Sequence, residues 1–437
     1  MSEKQQLWQI WDNLAFARSF HSFRMALSPA RMVIALIMVL MICLIGWFMD
    51  LVAAPMRSYE GKPALMQTGI EVEQSARVMF RTAEGRRRLA AEPRQALAEI
   101  ERDRYNQRFR GVFFTLWHFG ADRFNTATIS LFRLEITDVV ANIWLCGLAV
   151  VWAARFHPIF SGIYFILAAM VTCVCGGAIC RTAALEFARG EKPGLVEGLG
   201  FGLKKFRGLA SAPLILTGIT ASFALVVAAA GLIGNIPHAG ELFIAITLGA
   251  SLVFGLLTLL FLIGSVAGAG LIFPAIAYEG SDGQDAISRS FCYVFTCPWW
   301  MFFYTLLAAA FGTLSYLFVR LFVFALLITT YVLLELGIAG DAGSGKLARI
   351  WGRPDFFLLI GPNAGPACAT ESVAAFVIYA TMLLVVGVIV AFVISFYFCA
   401  GTIIYALMRR KVDQVDMGRV YTALEHVSSS KDGPLHQ

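Results

Sequence analysis

The nearest approach to a nucleotide-binding motif in this 437-residue chain is Gly340-Asp-Ala-Gly-Ser-Gly-Lys346-Leu347. Glycines at this spacing let backbone amides cradle phosphates, and the lysine reaches the same anion. The last position, however, must supply a Ser or Thr hydroxyl to Mg²⁺, and Leu347 has none. A P-loop also follows a strand, whereas this segment follows a long apolar run, so it reads as a flexible Gly-rich loop. His21, His118, His157, His238, His426 and His436 are all far apart, and neither HExxH nor GxSxG occurs. No local arrangement therefore supplies an activated nucleophile or a metal-bound water. Cys173, Cys175 and Cys180 put two thiols on one helical face, but zinc sites need two- to four-residue gaps and further ligands nearby. With Cys43, Cys146 and Cys399 they lie in apolar runs and read as packing residues. Cys292 and Cys297 border such a run, and Cys368 stands in a loop. These residues predict no catalytic group, no metal and no cofactor, and a protein that is not an enzyme.

The charged side chains are more informative. Arg320 lies within the apolar stretch 298–336, and a charge inside a bilayer is a functional hypothesis by default, here anion passage. Asp50 and Glu335 are the candidate partners; Glu335 is about 22 Å further along the same helix, too far for a direct pair. The preferred reading is that Arg320 snorkels to the outer boundary of an overlong helix. A second set, Arg181, Arg189, Lys192, Lys204, Lys205, Arg207 and Arg289, falls between apolar runs. On an inner membrane surface each contributes about 1 kcal/mol of attraction to anionic headgroups, or serves only to set topology. Glu186 and Glu279 are candidate braces, paired with Arg181 or Arg289.

The elements that position these residues follow from composition. The chain is 58% hydrophobic and 15% charged, against roughly a quarter charged in globular domains, which excludes disordered, fibrous and disulfide-scaffold classes. The net charge of +6 gives no argument for nucleic acid. Residues 1–31 form a basic, aromatic, amphipathic segment suited to a membrane surface. Ser28-Pro29 then opens the anchor 32–53, about 22 residues and long enough for the hydrocarbon core. Residues 54–138 are a charged helical insert outside the membrane and a candidate surface for protein partners. Its last part, 111–135, is mixed and interfacial. The bundle 139–407 carries apolar runs at 139–154, 159–180, 213–233, 242–278, 298–336 and 372–407, followed by a tail, 408–437. Arg18, Arg24 and Arg31 at one end, and Arg409, Arg410 and Lys411 at the other, place both termini inside by the positive-inside rule. Two inside ends need an even number of crossings. The stretch 139–154, about 16 residues long, is the one expected not to cross. The expected fold is thus an all-α polytopic bundle of six spans, alternatively seven, in a bacterial inner membrane and in contact with anionic lipid.

Two passages share a plan. Ala183-Ala-Leu-Glu186, Gly190, a surface helix and Ser211-Ala-Pro213 are matched by Ile276-Ala-Tyr-Glu279, Gly283, a surface helix and Cys297-Pro298. Both run the same way, as a parallel repeat. In the first surface helix Leu195, Leu199, Leu203, Phe206 and Leu209 share a face. In the second, Ile287, Phe291, Val294 and Phe295 do so, and Ser281 to Gln284 reads as a capping box. Trp299 and Trp300 suit an interfacial belt, and Gly264 with Gly268 form a GxxxG that permits close helix contact. The segment Glu279-Gly-Ser-Asp-Gly-Gln-Asp-Ala-Ile-Ser-Arg-Ser290 resembles an E-G-x(5)-A-[IL]-x-R-S motif of uncharacterised bacterial multi-pass proteins. These are similar to the membrane domain fused to some glycerophosphodiester phosphodiesterases. The resemblance covers about 160–310 and implies a membrane fold; the chain has no phosphodiesterase domain, so it implies no reaction. The expected role is scaffold, accessory subunit or lipid-surface organiser, with a transporter or channel for a small or lipidic solute as the alternative.

Overall fold

A computed structural model describes residues 21–53, 111–133, 135–236, 239–338, 345–356, 359–361 and 368–421. Residues 1–20, most of the charged insert (54–110), Gly340 to Ser344 of the Gly-rich loop and the tail from 422 lie outside the described residues. The fold is all-α. In chain order the described helices are α1 (His21–Ala26), α2 (Pro29–Ala53), α3 (Val112–Phe132), α4 (Ile136–Phe156), α5 (Pro158–Arg189) and α6 (Leu195–Lys204). There follow α7 (Phe206–Ile233), α8 (Ala239–Glu279), α9 (Gly283–Thr296), α10 (Pro298–Gly337), α11 (Lys346–Ile350) and α12 (Ala369–Val412). Among the described residues there is no strand, only an isolated bridge between Gly352 and Gly361. Among the described residues seven helices, α2, α4, α5, α7, α8, α10 and α12, are long and apolar enough to cross a membrane.

The chain divides into two compact units, one of residues 1–39 with 170–437 and one of 40–169. In the smaller unit α3 and α4 form an antiparallel hairpin. Val112 at the start of α3 packs with Ala149, Trp152 and Ala153 at the end of α4, with Leu116, Phe119 and Phe160 around them. A helix N-terminus carries unsatisfied N–H groups and a positive dipole end. Here Asp50 at the end of α2 accepts the amides of Phe113 (3.2 Å) and Phe114 (2.9 Å). Gly111 lets the carboxylate approach, since a Cβ there would fall 1.9 Å from it. The α4 helix is longer than its apolar run suggested, 21 residues rather than about 16, because Ile136 to Asp138 extend it by a turn. The length argument against its crossing is thereby removed. The α3 helix, with Asp122, Arg123 and Asn125, is not among the span-competent helices.

In the larger unit the core lies between α10 and α12, where Tyr316, Val323, Leu327 and Tyr331 meet Met382 and Ile389. The loop after α10 covers this core with Leu347, Trp351 and Leu359. Short α1 is tied to α12 by the Ser395 hydroxyl, which donates to Ala26 O at 2.9 Å. The GxxxG works within the chain: Gly264 and Gly268 seat α9, and a Cβ would fall 2.5 Å from the Phe291 ring and 2.3 Å from Ser290 Oγ. Ser290 is fully buried and donates to Gly268 O at 2.8 Å. Pro213 sits inside α7 rather than opening it. Proline cannot donate to the carbonyl four residues earlier, and the freed Leu209 O instead accepts the buried Cys173 thiol at 3.5 Å. That contact gives one of the packing cysteines a definite task.

Candidate functional site

Helices α5 and α8 end alike. Glu186 and Glu279 occupy their last turns, and Gly190 (φ 72°) and Gly280 (φ 64°) follow in the left-handed conformation that closes a helix. A short helix, α6 or α9, then leads into the next long one, α7 or α10, so the shared plan of the two passages is seen in the backbone. Each carboxylate meets guanidinium groups. Glu186 Oε2 lies 2.5 Å from Arg31 Nη2, not beside Arg181, and Arg31 Nε also donates to Met25 O at 2.7 Å. Glu279 is paired with Arg289 (2.7 Å) and Arg409 (3.3 Å) and accepts the Tyr405 hydroxyl at 2.7 Å. The Arg409 Nε is close enough for an ion pair but is not aligned as a hydrogen bond. Tyr293 donates to Asp413, which stands 3.7 Å from Arg289.

Charge is shared unequally in this cluster. Burial opposes the charge on Arg289, but the Glu279 carboxylate and the neighbouring tyrosines lift its pKa above the ordinary arginine range. Burial first, then the hydrogen bond to Asp413 and its charge, raise the Tyr293 phenol. Tyr293 therefore stays a donor, and the cluster reads as a neutralised brace between α8, α9 and α12.

The basic group separates into two kinds. Arg181 donates to Ala277 O and to Tyr421 O, both at 2.8 Å, and Arg189 to Val420 O at 3.1 Å. Lys205 donates to Gly280 O, with its ammonium 5.8 Å from the Tyr421 ring centre. Ala277 and Gly280 belong to the end of α8, where carbonyls lack helical partners, so Arg181 and Lys205 cap that end. With Arg289 on Glu279, four of the seven cations serve the fold. Lys192, Lys204 and Arg207 are exposed. Beside them Val196 and Leu203 are exposed too, at 81% and 64%, because α6 buries Gly198 and Gly202 instead of its leucine face. Likewise Phe295 of α9 is exposed. The capping box is not formed either: Asp282 is the N-cap and makes no side-chain cap bond.

At the same end, residues after α12 lie across α5 and α8. Met417 and Val420 are buried, Tyr421 N donates to Tyr278 O at 2.8 Å, and Arg409 donates to Arg419 O at 2.7 Å. Trp299 is fully outward, and the Lys411 ammonium sits 3.1 Å over the Trp300 ring, a pairing suited to a headgroup layer.

Arg320 does not snorkel. It is 3% exposed and donates to Phe356 O (3.0 Å) and Tyr316 Oη (2.5 Å), with its guanidinium against both rings. Neither partner expected for it fills that role here: Asp50 caps α3, and Glu335 is exposed. The loop following α10 folds back over the arginine, which no count of helix length could reveal. Sequence reasoning missed Arg31 and Arg409 as braces because both sit among basic residues that mark topology. It missed the 413–421 segment because that segment has no periodicity. Among the described residues no group of three His, Cys, Asp or Glu side chains is placed to hold a metal.

No family model, curated protein or solved structure matches this chain.

Proposed function

We propose that the protein is a non-enzymatic integral membrane protein of a bacterial inner membrane, acting as a scaffold, an accessory subunit or, in the reading favoured here, a lipid-surface organiser. One observation carries this reading. At the Glu186 and Glu279 end the ion-paired groups, buried Arg31 and half-exposed Arg289 among them, neutralise one another as braces. Among the exposed cations at this end, Lys192, Lys204 and Arg207 lie outside the braces and caps described above, and they stand beside exposed Val196 and Leu203 on α6. A short helix with outward apolar and basic groups suits an anionic headgroup layer. Residues 54–138 are proposed to serve protein partners.

The hairpin of the smaller unit bears on the parity of the crossings, and the cytoplasmic side is proposed from the basic residues Arg24, Arg31, Arg409, Arg410 and Lys411. Asp50 holds the start of α3, and α3 returns through α4 to the same end, so the hairpin adds either no crossing or two. Among the described residues the other span-competent helices number six: α2, α5, α7, α8, α10 and α12. Either count is even. Asp122 and Arg123 in α3 make zero the less costly choice.

Neutralising Lys192, Lys204 and Arg207 together is expected to reduce copurifying anionic lipid severalfold; unchanged lipid content reduces them to topology signals. A cysteine placed at Arg88 should react with an impermeant thiol reagent in intact cells, whereas one at Lys204 should not. Burial of Arg320 favours one second reading, a transporter or channel in which that charge meets an anionic solute. Solute flux in proteoliposomes that is abolished by Arg320→Gln would replace the scaffold reading.

A further inference from the structure

We propose that Arg181 and Arg189 form a latent binding site for a phosphate-bearing lipid headgroup, closed in this structure by the chain's own residues Val420 and Tyr421. The proposal rests on the lipid-surface reading above and extends it to a second pair of cations, half-buried Arg181 and exposed Arg189, whose guanidinium groups bond the chain's own carbonyls.

Two observations carry it. The first is the kind of partner these guanidinium groups have. Arg181 Nη2 and Arg189 Nη2 both end on neutral backbone carbonyls of one short segment, Tyr421 O at 2.8 Å and Val420 O at 3.1 Å. Neither makes an ion pair among the described residues, in contrast to Arg31, Arg289 and Arg409 at the same end. Burial works against the Arg181 charge, and the carboxylates of Glu197 and Glu191 favour it without forming an ion pair with it among the described residues. A phosphate is a much stronger acceptor for a guanidinium than an amide carbonyl, and it binds in a planar, forked geometry. The second observation is that the covering residues belong to no helix. Val420 and Tyr421 follow α12 without regular structure. Their contacts include the packing of Val420 and neighbouring Met417, the Tyr421 N–H to Tyr278 O, and the Tyr421 ring against Lys205 and Gly280. Arg181 keeps its bond to Ala277 O through Nη1, so the end of α8 stays capped when Nη2 changes partner. The exchange replaces two carbonyls by one anion and leaves the helices where they are. Headgroup binding and closure by the C-terminal segment are then mutually exclusive, and each shifts the other.

The test uses the full chain in nanodiscs and follows tryptic cleavage after Arg419, an exposed residue whose carbonyl is held by Arg409. Three conditions are compared: phosphatidylcholine alone, phosphatidylcholine with phosphatidylglycerol, and phosphatidylcholine with inorganic phosphate in the buffer. Cleavage is expected to be about fivefold faster with phosphatidylglycerol, the factor set by a single headgroup contact. Acceleration by inorganic phosphate alone would assign the site to a soluble phosphate and overturn the lipid assignment. In Arg181→Gln, and separately in the exposed Arg189→Gln, cleavage should already be fast in phosphatidylcholine and insensitive to phosphatidylglycerol. Equal rates in all three conditions would overturn the proposal, as would undiminished lipid acceleration in both variants. Neutralising Lys192, Lys204 and Arg207 should lower lipid copurification while leaving the phosphatidylglycerol acceleration in place. The two readings therefore fail separately.

Discussion

Arg31 and Glu186, separated by 155 positions in the chain, meet at 2.5 Å with the arginine 1% exposed. The pair joins the start of α2 to the end of α5. Removing one member of a buried pair leaves a stranded charge and costs about 3–5 kcal/mol, whereas replacing both with apolar residues is often close to neutral. Glu186→Ala and Arg31→Ala should each lower thermal stability in detergent by that amount, and Arg31→Met with Glu186→Leu should recover most of it. Additive losses in the double variant would show that the residues act independently.

The contact of α8 with α9 offers a second test. At Gly268 an added methyl meets Ser290 Oγ and disturbs its bond to Gly268 O. Overpacking of this kind costs about 1–3 kcal/mol. Gly255, on the same helix, has open space around it, and Gly255→Ala should be neutral or stabilising by up to about 1 kcal/mol. Equal melting shifts for Gly255→Ala and Gly268→Ala would contradict this packing.

Tyr293 predicts a direction with pH. Its folded pKa is raised above the ordinary tyrosine value of about 10. The protonated phenol is thus favoured by folding. The associated stability is complete below about pH 10 and is lost as pH rises towards the folded pKa. Denaturant unfolding at pH 9 and above pH 10 should show a steeper decline for the wild type than for Tyr293→Phe, which has no proton to lose. Parallel curves for the two would remove Tyr293 from the alkaline transition.

Arg320 fastens the loop after α10 through Phe356 O and Tyr316 Oη. A hydrogen bond to a charged group is worth about 1.5–3 kcal/mol. Arg320→Met should loosen residues 345–361, raising amide exchange at Leu347 and Trp351 at least tenfold while leaving α5 and α9 unchanged. Exchange that rises evenly throughout the larger unit would mean the arginine supports the whole core instead.

Composition and apolar periodicity alone determined that this is an all-α, multi-span protein. They also placed the turn between α5 and α6, and that between α8 and α9, because hydrocarbon tolerates little except long apolar helices. The likeness of the Glu186 and Glu279 passages was legible in part, since a helix end and an amphipathic turn each leave a local signature. The glycine matched to Gly190 was Gly283, however, and it is Gly280 that takes the left-handed conformation. The partners of the charged residues were not. Arg31 reads as a topology signal until α2 and α5 are packed, and Arg181 reads as a lipid contact until residues 420 and 421 are laid across it. Arg320 looks like a snorkelling side chain until a loop folds over it. Hydrophobic pattern is encoded residue by residue, whereas an ion pair needs two groups brought together from distant parts of the chain. Only the tertiary structure decides which cation remains for a ligand.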